Sequence, residues 1–166
     1  MKFRRRSSPA AEVRRDPDVA LGGPNDRAYG LAMVMHLKLS VDVCEAASAR
    51  LASPSLVALA AQLVAADRDA ADAIQRQRHT LGSTGIGMGD PRGFSDLASP
   101  PIELWMVDGP RPVDRAFVKA MIFHRRGGVA MARRLLQMSD EPDVRDGARA
   151  LLERFERELR ELAARR

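Results

Sequence analysis

Cys44 is the only cysteine in the chain. Its solitude excludes an intramolecular disulfide and any multi-cysteine zinc or iron–sulfur site built from this chain alone. Aromatic residues make up 4% of the sequence, and alanine and leucine dominate the 45% that is hydrophobic. That composition suits close helix packing and lacks the Val, Ile, Thr and aromatic runs a sheet needs, so the chain reads as all-α. No apolar run approaches the roughly 18 residues that would span a bilayer as a helix. At 166 residues the chain is long enough to bury a core without disulfides or metals to hold it.

Lysine is scarce as well: Lys2, Lys38 and Lys119 are the only ones among 27 basic residues. The net charge of +5 and pI of 10.3 invite a nucleic-acid reading, but the distribution of the charges argues against it. Arg145, Arg149, Arg154, Arg157 and Arg160 alternate with Asp146, Glu153, Glu156, Glu158 and Glu161, the pattern of a solvated helix face. The true excess lies at the ends, in Arg4-Arg5-Arg6, Arg14-Arg15 and Arg165-Arg166. Residues 1–17 therefore read as a disordered basic arm, suited to an anionic partner such as lipid, nucleic acid or another protein. The basic start looks like the head of a signal peptide, yet no apolar stretch follows it, so the chain as written reads as cytoplasmic.

The rest of the chain is a duplication. Asp26-Arg27-Ala28-Tyr29-Gly30-Leu31-Ala32-Met33-Val34-Met35-His36 aligns with Asp114-Arg115-Ala116-Phe117-Val118-Lys119-Ala120-Met121-Ile122-Phe123-His124, with six of eleven positions identical. Composition alone gives about one identity in such a window. The shift of 88 residues continues without a gap through Val41/Val129, Pro54/Pro142, Ala60/Ala148 and Leu63/Leu151. Each copy reads as two helices separated by a turn whose proline cannot continue the first helix but suits the start of the second. The helices are expected at Asp26 to Leu51, Ser55 to Arg78, Val113 to Gln137 and Asp143 to Ala164. Repeat one is thus 18–79 and repeat two 113–166, within a single domain over 18–166. A Gly-, Pro- and Ser-rich connector, 80–112, crosses the bundle surface between them and lays Trp105 against it.

Helical periodicity selects the inward faces. Phe117, Met121, His124, Gly128, Met131 and Leu135 form one stripe, and Tyr29, Met33, His36, Ser40, Val43 and Ala47 form its counterpart. The partner helix of copy two offers Val144, Ala148, Leu151, Leu152, Phe155, Leu159 and Leu162. Neither hairpin buries its stripe alone, so the two pack together as an antiparallel four-helix bundle. His36 and His124 should then be buried and related by a two-fold axis.

Asp-Arg-Ala-Phe, Ala-Met-Ile-Phe-His124, Val-Ala-Met131-Ala and Glu-Pro142-Asp-Val-Arg, with the closing Glu-Arg-Glu-Leu, resemble the bacterial domain-of-unknown-function 305 family over about residues 16 to 166. That resemblance implies a ferritin-like, tandem-duplicated bundle with a Gly- and Met-rich connector, here Gly85 to Gly89. It also implies two adjacent histidines followed by a methionine in each copy, and relatives that are often exported and in some cases bind copper. This chain departs from the pattern. Leu37 and Arg125 replace the second histidines, Val43 stands where Met131 would repeat, and the family's Gln and Glu correspond to Phe155 and Glu158, or to Asp67 and Ala70 in copy one.

His124, Met121 and Met131, with His36 and Met33, are the candidate metal ligands, because thioether plus imidazole is a soft set suited to copper(I). The simpler reading of the same residues is core filling, with each imidazole hydrogen-bonded to a neighbouring helix. Met121 and Met131 are ten residues apart on one helix, about 15 Å along its axis, so any site must recruit a group from another helix, His36 or Met33 being the natural ones. A di-iron carboxylate site is excluded by the absence of any Glu-x-x-His pair, and the Gly-rich connector lacks the Gly-Lys-Ser/Thr of a phosphate loop. The reading is of a non-enzymatic bundle, a degenerate Met/His metal-binding protein. Its alternative is a metal-free structural or interaction module using the basic arm.

Overall fold

The computed structural model describes residues 24–80 and 113–165. The basic arm, the connector with Trp105 and the side chain of His79 lie outside the described residues. Four helices follow one another: α1 (Pro24–Ser48), α2 (Pro54–Thr80), α3 (Asp114–Met138) and α4 (Pro142–Ala163). No strand occurs among the described residues. α2 and α4 begin on the two prolines themselves, where the missing N–H is one the helix would leave unpaired anyway.

The first hairpin turns earlier than its sequence pattern indicates, since α1 ends at Ser48 and not near Leu51. Ser48 Oγ donates to the Cys44 carbonyl at 2.7 Å, and the Arg50 and Leu51 amides both turn back to the Ala47 carbonyl. The tightened turn leaves Ala52 and Ser53 free to extend ahead of Pro54, as a residue before proline prefers. At the matching turn, Ser139 and Glu141 are extended ahead of Pro142. Arg145 donates there to the carbonyls of Leu136 and Ser139 at 2.6 and 2.8 Å, satisfying the end of α3.

α1 packs on α2, α3 on α4, and the hairpins meet through α1 and α3. The Asp114 carboxylate accepts the Ala52 and Ser53 amides at 2.8 and 3.0 Å, which seats the start of α3 at the end of α1. α3 therefore runs against α1, and α2 ends at the opposite end of the bundle from the start of α3. The order is up-down-down-up, related by a two-fold axis that follows the 88-residue duplication.

Every residue of both stripes is buried. The apolar core forms two clusters. One holds Met33, Leu37, Met131, Leu135, Leu151 and Phe155, and the other Val43, Cys44, Leu63, Phe117, Met121 and Leu162. Between them lies a polar layer, whose histidines the periodicity of the sequence placed inward and whose charges it did not announce.

Candidate functional site

Where α1 meets α3 lies a pair of histidines related by the 88-residue shift. His36 on α1 and His124 on α3 stack face to face, with ring centroids 3.6 Å apart and planes within 3° of parallel, and each is 2% exposed. His124 Nε2 lies 3.1 Å from the His36 carbonyl oxygen. A carbonyl only accepts, so this nitrogen carries the proton. Burial, reinforced by the nearby positive charge of Arg125, lowers the His124 pKa to about 3, and the ring is neutral at physiological pH. Its Nδ1 is buried with no hydrogen-bond partner among the described residues.

Gly128 makes the stack fit. A Cβ there would stand 2.6 and 2.8 Å from the Phe155 ring and 2.9 Å from His36 Nε2. Ser40, one repeat earlier, faces Asp67 in sequence register where Gly128 faces Phe155, so the glycine accompanies the larger ring. Gly128→Ala should destabilise the protein by about 1–3 kcal/mol despite alanine's better helix propensity, because overpacking outweighs it. The check is thermal unfolding beside Gly147→Ala, whose Cβ would meet nothing within 4 Å; that variant should gain up to about 1 kcal/mol.

Beside the stack lies a closed ring of four charges. Arg125, fully buried on α3, meets Asp67 of α2 and Glu158 of α4, each at 2.7 Å. Arg154 of α4 completes the circuit, 2.7 Å from Asp67 and 3.6 Å from Glu158. The contact of Arg125 Nε with Glu158 Oε2 is an ion pair without hydrogen-bond alignment. Both guanidinium carbons sit near the Phe155 ring, at 5.1 and 5.0 Å from its centroid, within cation–π range. Burial raises the Glu158 pKa, with Arg125 and then Arg154 pulling it down again. The four charges sum to zero and tie α2, α3 and α4 across the two hairpins.

This ring corrects the solvated-face reading of α4. Arg154 and Glu158 flank the inward residues Leu151, Phe155 and Leu162, and a long side chain at that edge can turn into the core when a charge awaits it there. The outer members behave as expected: Arg149 pairs with Asp146, and Arg165 with Glu161 at 2.9 Å, all partly or well exposed. Sequence reasoning saw Arg125 and Asp67 only as departures from a family pattern, and Glu158 as one of the charges of a solvated face. The available signal was that Arg125 and Asp67 fall on inward faces, which a charge occupies only when paired.

Of the five candidate ligands, the structure brings the two histidines into direct contact. Met33 and Met131 fall in one apolar cluster and Met121 in the other, so the pairing of His124 and Met121 with Met33 is not assembled. A metal binds imidazole in the ring plane, about 2.0 Å from nitrogen. Parallel stacked planes have no such point in common, and His36 and His124 cannot share an ion as they stand. The carboxylates face guanidinium groups, and no cluster of three His, Cys, Asp or Glu side chains capable of holding a metal occurs among the described residues. The residues present thus do not fit a shared copper ion in this arrangement. Cys44, also buried, has its thiol pushed up to about 12 by burial, which keeps it from acting as a thiolate. No helix among the described residues is long and apolar enough to cross a membrane.

No curated protein and no solved structure matches the chain. Residues 103–165 match the model of a family described as Domain of unknown function (DUF305), which covers both helices of the second hairpin. That segment, the second of the two repeats, is therefore similar to the domain-of-unknown-function 305 family.

Proposed function

We propose that this protein is a non-enzymatic helical bundle of ferritin-like topology, a degenerate member of a metal-binding lineage whose core cation is a guanidinium. The observation that carries this reading is Arg125, 0% exposed and bridging Asp67 and Glu158. A buried carboxylate pair needs positive charge nearby. Arg125 and Arg154 supply it covalently, leaving no charge for an ion to balance. The neutral His124 and protonated Cys44 support a packing role for the groups that would otherwise be reactive. The basic segment 1–17 remains the proposed contact with an anionic partner, through interactions that salt should weaken.

Copper(I) binding is a second reading, favoured by the buried His124 Nδ1 without a hydrogen bond, since a free imidazole lone pair is what a soft ion takes. It requires the two rings to leave their stack. Anaerobic competition against bicinchoninate separates the two. The structural reading expects copper(I) to stay with the chelator, with His124→Ala and wild type indistinguishable. One equivalent withdrawn by wild type and not by His124→Ala would establish the copper site instead.

A further inference from the structure

The internal two-fold gives each position a counterpart, and at one place the two halves differ in kind. Toward the end where α1 begins, α2 and α4 leave a cleft of about 570 Å3 between them. Tyr29, Gly30, Ile74, Val144, Gly147 and Leu151 are among its walls. One repeat away the same six positions hold Phe117, Val118, Leu162, Leu56, Leu59 and Leu63, and all six are buried together in the second apolar cluster. The same helical framework is thus packed shut in one half and open in the other, where Val118 and Leu59 are matched by glycines. Glycine is the poorest helix former after proline, and space around a Cβ on Gly147 is open, so helix packing does not require it there.

A cleft of this size with apolar walls and few polar groups is the form of a small-molecule site. Its charge is also one-sided. Arg154 reaches it, but Asp67 and Glu158 already hold that guanidinium. Asp69 stands exposed at the rim with no ion pair among the described residues. Tyr29 is among the lining residues, an aromatic group of the kind that attracts cations. We propose that the α2–α4 cleft binds a small hydrophobic cation, an aromatic or alkyl ammonium compound. Its apolar body lies against Gly30, Ala70 and Gly147, and its charge lies toward Asp69.

The test uses the full chain and the fluorescence of berberine, a planar quaternary ammonium dye, beside the anionic 1-anilinonaphthalene-8-sulfonate. Berberine should bind saturably, one per chain, and more tightly than the sulfonate. Gly147→Leu, which installs the residue of the packed half at an exposed helical position, should abolish binding while far-UV circular dichroism stays unchanged. Asp69→Asn should weaken berberine about two- to fivefold at low salt, the range of a single exposed charge, and leave the sulfonate unaffected. The proposal is overturned if neither dye saturates, if Gly147→Leu binds as wild type does, or if the sulfonate binds the better. It is equally overturned if Gly147→Leu shifts the emission of Trp105 or the oligomeric state of a protein that binds no dye. Those results would assign the cleft to residues 81–112 or to a second copy.

Discussion

Replacing Arg125 by leucine, the residue at the equivalent position of the first copy, should lower the unfolding free energy by about 3–5 kcal/mol. Leucine fills a similar space but removes the charge that Asp67 and Glu158 both face at 2.7 Å. Arg154 then stands alone against two buried carboxylates, and it approaches Glu158 only at 3.6 Å. Urea unfolding followed by circular dichroism at pH 7 measures the loss. Two comparisons make it specific. Arg149→Ala, at an exposed pair with Asp146, should cost no more than about 1 kcal/mol. Adding Glu158→Gln to Arg125→Leu should recover part of the loss, with a coupling of about 1–3 kcal/mol, because the stranded carboxylate is gone. A loss below about 1 kcal/mol for Arg125→Leu would show that the guanidinium is dispensable. The large effect of breaking the ring does not make the intact ring a large stabiliser, since desolvating four charges offsets most of their attraction.

Acid should weaken the fold through His124. Its folded pKa of about 3 lies below the unfolded value of 6.5, so between those limits the unfolded chain binds more protons. The His124 contribution is fully present above pH 6.5 and is lost as pH falls toward 3, by up to about 1.4 kcal/mol per pH unit. Glu158 acts the other way. Its folded pKa is raised above 4.5, and from that pH upward to the raised value its contribution falls as pH rises. The two oppose one another above pH 4.5, and below it the loss from His124 is no longer offset by Glu158. Unfolding of wild type and His124→Gln at several pH values between 7.5 and 4 tests this, because the remaining carboxylates cancel in the difference. Glutamine keeps a donor for the His36 carbonyl but does not titrate. Wild type should lose on the order of a few kcal/mol more than the variant over that interval. Parallel slopes would mean that His124 gains its proton without unfolding, and the buried neutral stack would be wrong.

The two stripes were legible because helical period and duplication report the same thing twice. Met33 and Met121, or His36 and His124, recur at one shift and on one face, so their burial follows before any coordinates are known. Arg154 and Glu158 were not legible. Their spacing on α4 is also that of an exposed ion pair, and an i,i+4 pattern looks the same whether it faces water or a buried Arg125. The role of Gly128 was equally hidden, since it depends on Phe155 coming from another helix. So was the orientation of the histidine rings, and that orientation decides whether they share an ion.

The sequence by itself determined that there are two copies, that each is a helical hairpin broken at Pro54 or Pro142, and which faces turn inward. These are properties of neighbouring residues, carried by periodicity, by the geometry of proline and by the constant shift between copies. Only the tertiary structure decided that α3 starts beside Ala52 and Ser53, that the histidines stack in parallel, that a ring of four charges ties the hairpins together, and that one half closes while the other leaves a cleft. Each of those depends on side chains from different helices meeting at distances of a few ångströms, and charge and packing energies are set at that range. Linear spacing carries no record of it.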